Sequence, residues 1–317
     1  MINLVKNEWI KLFKRISTYI MLALIVLGTL LFAFLTQWIM NLNSENEIPD
    51  WKEVLQADIA FYQEELKNND SGWYGDWLEA ELAISEYRLE NNIPPTEFDY
   101  SMWTFIDESS GIVNFVGLFV IIIAAGIVAH EYSWGTIKML LIKPYKRWKI
   151  LLSKYITVIL SLVLMLTLLF ASAAAIGAIF FGLGDHSAIH LTYENGKVVE
   201  QSLLFHLMRI YLLTSASAIL LATMAFMISA AFRASNLAIG LSVFLLLAGP
   251  TITGLLSQHF DWVKYTLFAN TDLLQYISGG VLIEGMTMEF SLLMLAIHFV
   301  IFIAIAFAIF TKRDVSA

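Results

Sequence analysis

The residues best equipped for chemistry lie between Ala129 and Lys154, in the run AHEYSWGTIKMLLIKPYKRWKILLSK. Six bases, Lys138, Lys143, Lys146, Arg147, Lys149 and Lys154, stand there against one acid, Glu131. A carboxylate with a nearby base such as Lys138 suits charge-assisted contacts to another protein. Tyr132 and Trp134 suit a polar–apolar boundary, and Gly135 permits a tight turn or a close backbone approach. This is the chemistry of binding rather than of bond cleavage. The other candidates are histidines. His298 sits in a long apolar run, where an ionisable residue marks a functional site or is a neutral imidazole hydrogen-bonded to a neighbouring helix. His186 and His190 have the i, i+4 spacing of a zinc pair but no evident third ligand. Neither G-x-x-x-x-G-K-[ST] nor H-E-x-x-H occurs, and there is no cysteine. No metal, bound cofactor or enzymatic activity is therefore expected of this chain.

These residues need elements to hold them, and composition says what kind. Of 317 residues 58% are hydrophobic and only 15% charged, with a mean hydropathy of +0.71, too apolar for a soluble domain of this length. The reading is an all-α polytopic membrane protein. Six apolar runs of bilayer length predict transmembrane helices at 18–40, 110–128, 151–183, 205–232, 235–252 and 288–310. The first is too long for the apolar region of a signal peptide and reads as a retained span. Residues 1–17 repeat apolar side chains at Val5, Trp9, Leu12 and Ile16 beside Lys6, Lys11, Lys14 and Arg15. They predict an amphipathic helix lying in the interface, or one that simply extends the first span.

Residues 41–108 carry seventeen acids and three bases, yet their apolar residues are periodic. Asp50 and Glu53 form a capping box before Trp51, Val54, Leu55, Tyr62 and Leu66, and a second stripe follows at Trp73, Trp77, Ala80, Ile84 and Tyr87. The prediction is an extracellular helical hairpin, either a ligand-catching cap or a solvated domain that shapes the outer surface. Phe98, Tyr100, Trp103 and Phe105 read as an aromatic belt at re-entry. Small residues from Ala171 to Gly177 in span three invite close approach by another helix. Glu194, Asn195 and Gly196 can close a small hairpin in the loop before span four. Gly249 and Pro250 are expected to kink or end span five. Residues 253–287, broken at Asn270, Thr271, Gly279 and Gly280, predict two short outer helices that do not span.

Charge orients the chain. With residues 129–150 and both termini cytoplasmic, thirteen bases fall inside, including Arg233, Lys312 and Arg313, against Glu8, Glu131 and Asp314; the other six bases and twenty-four of the 27 acids fall outside. This satisfies the positive-inside rule at every short loop. Arg209 and Arg233 are expected to snorkel to opposite interfaces.

In that setting, Glu131, Gly135, Thr136, Ile137, Lys138, Leu141, Pro144, Arg147 and Lys154 resemble the signature of type 2 ABC transporter permeases: an acid before G-T-[IL]-[KR], then P-x-x-R and a later lysine. That family carries its coupling helix between spans two and three, and the likeness in topology covers nearly the whole chain. The resemblance implies a multi-pass permease of the bacterial plasma membrane. It would pair with a second permease subunit, as homodimer or heterodimer, and with ABC ATP-binding subunits that hold the ATP and magnesium. Relatives export peptide antibiotics, act in lantibiotic self-protection, or move other amphipathic drugs and ions. By the same resemblance His130 to Lys138 would couple to the ATPase. Lys143, Pro144, Arg147 and Lys154 would form a basic inner anchor that either joins in coupling or only sets topology and binds membrane lipids. The long acidic hairpin departs from the short loop of many members. No nucleic-acid partner is expected. The alternative is a membrane sensor or structural subunit that binds an extracellular ligand through the acidic hairpin without transport.

Overall fold

The computed structural model describes residues 1–43, 50–68, 72–95, 98, 100–142, 144–184, 189–194, 196–232, 234–278, 281–283 and 285–312. Twelve α-helices occur among them. They are α1 (Ile2–Phe13), α2 (Ile16–Asn43), α3 (Trp51–Asn68), α4 (Gly72–Asn91), α5 (Met102–Glu108), α6 (Val113–Ser133), α7 (Ile137–Leu141), α8 (Arg147–Phe181), α9 (Leu203–Ala231), α10 (Ser235–Ser257), α11 (Gln275–Ser278) and α12 (Met288–Lys312). Six stretches are long and apolar enough to cross a bilayer: Ile16–Leu42, Met102–Ser133, Arg147–Phe181, Leu203–Ala231, Ser235–Ser257 and Met288–Lys312. Their exposed side chains are apolar as well, among them Leu31, Phe34, Leu247, Leu293 and Val300. Such surface suits lipid rather than water. The protein is a helical polytopic membrane protein.

Chain contacts divide it into two units, the first comprising Met1–Val26, Ile112–Leu169 and Leu212–Ala317. Its centre is α6, whose side chains from Val120 to Ala129 are nearly all buried. Small residues let neighbours come close: the Ser229 hydroxyl of α9 accepts from the backbone N–H groups of Val128 and Ala129 at 3.2 and 3.0 Å. Tyr155 of α8 shares a 2.8 Å hydrogen bond with Thr223 of α9. Helix α10 packs along α6 and runs on past Pro250 to Ser257, so the proline does not end it. A Cβ on Gly249 would lie 2.4 Å from the Phe268 ring; the missing side chain lets that ring seat against α10.

The segment after α10 is broken into two short helical pieces. It holds a 3-10 turn at Asp261–Tyr265 and the single turn α11, with irregular backbone between. The cause is local: buried Asn270 donates to the carbonyls of Lys264 and Thr266 and accepts from Ser291, so a side chain takes the bonds that a helix would make. Gly279 and Gly280 lie outside the described residues.

The second unit comprises Leu27–Gly111 and Phe170–Tyr211. Helices α3 and α4 pack together, Leu55 and Leu78 are buried, and Tyr62 meets Trp77 edge-on at 6.0 Å. Asp50 caps α3 by accepting from the Lys52 N–H at 3.2 Å. The unit also contains strands, so the fold is not purely helical. β1 (Ile189–Glu194) and β2 (Lys197–Ser202) pair antiparallel from Ile189↔Ser202 to Glu194↔Lys197. Asn195 lies outside the described residues. Helix α4 rests on this ribbon, where Tyr193 donates to Glu79 and Tyr87 to Glu200. Phe105, read as part of an interfacial belt, is instead fully buried, with its ring 5.6 Å from Phe32 and 5.3 Å from Phe181. The backbone of Met102 approaches Gly177, where a Cβ would come within 3.3 Å.

Candidate functional site

The candidate site belongs to the first unit and is built from α1, the last turn of α6, the turn after it and the start of α8. Helix α6 continues through His130, Glu131, Tyr132 and Ser133, so His130–Lys138 is not one helix: its second part belongs to the short α7, Ile137–Leu141. Trp134, Gly135 and Thr136 form the bend between them. Gly135 has φ +71°, a conformation that glycine adopts freely and most residues do not, and an added Cβ would touch nothing within 4 Å. Of the two roles open to Gly135, the structure shows the turn. Trp134 is 62% exposed, Met139 74% and Ile142 84%, so the bend and α7 present an apolar surface, with Lys138 also exposed.

Beneath that surface lies a closed ring of charges. Lys154 is 0% exposed, and its ammonium donates to Glu8 Oε2 at 2.7 Å, Glu131 Oε1 at 3.1 Å and the Ile127 carbonyl at 3.1 Å. All three of its donors are used. Lys11 closes the ring, reaching Glu131 Oε1 at 2.8 Å and Glu8 Oε1 at 3.2 Å. The Thr136 hydroxyl donates to Glu131 Oε2, which ties the bend to the same carboxylate. Burial works against the Lys11 ammonium, yet the Glu131 and Glu8 carboxylates outweigh it and hold its pKa above the ordinary lysine value. Two acids and two bases thus bind three helices and a turn together.

Lys154 is therefore no exposed inner anchor. It lies two turns into α8, on the buried stripe of Ile150, Leu151, Tyr155, Val158 and Leu162, and the carboxylates met there remove the cost of an unpaired buried charge. Nor is Glu131 held out for a soluble subunit with Lys138; it is committed to Lys11, Lys154 and Thr136. Arg147 donates to the Thr311 carbonyl at 3.3 Å, meeting the C-terminal end of α12. Pro144 is exposed in the α7–α8 connection; Lys143, Arg233 and Arg313 lie outside the described residues. Around the ring, His130 stacks on Trp134 at 4.9 Å, and the Arg15 guanidinium sits 5.1 Å over the Trp134 ring and 3.3 Å from His130 Nδ1.

The other sequence candidates do not join this site. His298 Nδ1 lies 2.8 Å from the Met294 carbonyl of its own helix, not against a neighbouring one. His190 stacks face to face on His206, with ring centroids 3.4 Å apart, and His186 lies outside the described residues. Among the described residues no group of three metal-ligating side chains converges. Glu8 and Lys11 were missed as site residues, although Glu8 carried a signal: no other acid precedes Glu45.

A larger cavity in the same unit, of about 770 Å³, lies among α6, α9, α10 and the segment that follows α10. Asn114, Thr214, Ser217, Thr271, Asp272 and Gln275 supply its polar lining, and its apolar lining includes Leu118, Leu247 and Phe268.

The fold and site define a helical polytopic membrane protein whose charged cluster ties an N-terminal helix to two spans. The chain belongs to the DUF2705 family, described as a protein of unknown function, whose profile matches residues 81–316 and so includes Glu131 and Lys154. It is 48% identical over 318 residues, with 100% of both chains covered, to the "Uncharacterized protein YhcI" of Bacillus subtilis (strain 168). It is 34% identical over 197 residues, 62% of this chain and 76% of the relative, to the "Uncharacterized membrane protein YdbK" of the same organism.

Proposed function

We propose that this protein is the permease subunit of an ATP-driven ABC exporter in the plasma membrane, with both termini cytoplasmic and a separate ATP-binding subunit docked on the bend and α7. The observation that carries the reading is the projecting Trp134–Leu141 bend, whose Thr136 is hydrogen-bonded to the buried carboxylate that also holds α1 and α8. A push on α7 would be transmitted through Glu131 into α6, α1 and α8 together, because a closed buried charge ring moves as a body more cheaply than it opens. The exposed Ile142 gives a partner an apolar contact, and Lys138 gives it a charge.

The cavity among α6, α9 and α10 favours an amphipathic or peptide-like cargo of the antibiotic-resistance or self-immunity type. Its volume suits a small ligand, and its mixed lining suits a molecule with both a polar and an apolar part. Transport would work with a second permease copy or a homologous subunit beside it.

The test is purification from native membranes, followed by reconstitution in liposomes. The proposal predicts a co-purifying subunit with a phosphate-binding loop, and ATP-dependent movement of an amphipathic cargo. Gly135→Val is expected to insert normally yet uncouple ATP turnover from transport. Full transport by Gly135→Val would exclude the bend as the coupling element.

A further inference from the structure

We infer that the recess between α1 and α7 is a binding site for a phosphate group, supplied by an anionic phospholipid headgroup. The recess has a volume of about 530 Å³ and brings together Lys11, Lys14 and Arg15 with Glu131. Glu131 does not repel an incoming anion strongly, since its two oxygens already accept from Lys11, Lys154 and Thr136. Counting the ring behind the recess, four bases (Lys11, Lys14, Arg15, Lys154) face two acids (Glu8, Glu131), which leaves a net charge of +2.

The two bases outside the ring lack carboxylate partners. Among the described residues neither Lys14 nor Arg15 lies within ion-pair distance of an acid. Arg15 is half-buried, its guanidinium set over Trp134. Burial draws its pKa down further than the more distant Glu131 and Glu8 charges hold it up, the condition of a partly desolvated cation without its own counter-ion. A guanidinium in that state is suited to bidentate bonding by phosphate oxygens, and Lys14 adds a flexible point charge.

The apolar side of the recess selects the source. Trp134, Met139 and Leu140, beside Thr136, complete its lining. A free phosphate ion gains nothing from these side chains, whereas the glycerol and first methylenes of a lipid do. Lys138 and Ile142 do not line the recess and stay available to the soluble partner proposed above. The inference rests only on the chain being a membrane protein, so it stands or falls apart from the exporter reading.

The experiment uses the full chain in detergent micelles, with bound lipid read by native mass spectrometry. Phosphatidylglycerol is expected to bind at least tenfold more tightly than phosphatidylcholine, at about 1.4 kcal/mol per tenfold. Lys14→Gln, at an exposed position, is expected to weaken phosphatidylglycerol about fivefold, and Arg15→Gln at least as much, while Lys149→Gln leaves it unchanged. A melting curve checks that the Arg15 variant is folded, and Lys14→Gln decides the matter if it is not. Equal binding of the two lipids, or an equal loss in Lys149→Gln, would overturn the site. Displacement of the lipid by millimolar inorganic phosphate would assign the recess to a free anion instead. Loss of a co-purifying protein in Lys14→Gln, with lipid selectivity intact, would assign it to an acidic partner chain.

Discussion

A lysine with no exposed surface must have its charge met inside the protein, and Lys154 meets Glu8 and Glu131 there. Removing one member of such a group leaves the others buried and uncompensated. Lys154→Met is expected to cost about 3–5 kcal/mol in unfolding free energy measured in detergent, with part of the loss recovered by adding Glu8→Gln. An unchanged stability would mean that the ring is open to water. Gly135 is a second residue-scale test, because its positive φ and empty surroundings separate backbone strain from steric clash. Gly135→Asn, which tolerates the left-handed conformation, is expected to keep most activity where Gly135→Val loses it, and transport assays on the pair check this. Gly135 as a turn residue was legible in the sequence. The burial of Lys154 was not, since counting the span from Leu151 put Lys154 near its edge, whereas the helix starts at Arg147 and its stripe of buried positions carries the lysine inward.

Helices placed by apolar length were easier to foresee than the segments that side chains shape. Helix α10 passes through Pro250, and the stretch after it is broken between its two short helical pieces, where Asn270 bonds its own neighbours. Neither outcome has a periodic signature. Gly249 gives a direct test of that packing: Gly249→Val drives a side chain into the Phe268 ring and is expected to destabilise by about 1–3 kcal/mol in thermal unfolding, a loss relieved in part by Phe268→Ala. The β1–β2 ribbon gives a pH test. Burial, then the nearby His206, Arg88 and Arg209 charges, draw the His190 pKa down to about 4. A histidine whose folded pKa lies below its unfolded value contributes stability in full above the unfolded value of 6.5, and loses it progressively as pH falls from there towards 4. Hydrogen exchange in β1 and β2 is therefore expected to quicken from pH 7 to pH 5, and His190→Gln to flatten that dependence. An equal acceleration in the variant would shift the cause to other groups.

At the scale of the whole molecule, hydropathy made the helical membrane class and its six long apolar helices legible before any coordinates. The joining of distant segments was not, because the charge ring is formed by Glu8 and Lys11, Glu131, and Lys154, from three segments far apart in sequence with no spacing pattern to link them. That ring gives the exporter account its mechanical sense, since α7 is tied through Thr136 and Glu131 to the helices a partner would have to move. The most direct measurement is ATP turnover by the complex isolated from native membranes, with wild-type chain and with Gly135→Val. The account predicts a bound ATP-binding subunit whose turnover rises with amphipathic cargo in the wild type and is indifferent to cargo in the variant. A wild-type chain purified under conditions that preserve membrane complexes, with no ATP-binding subunit and no ATP turnover, would contradict it.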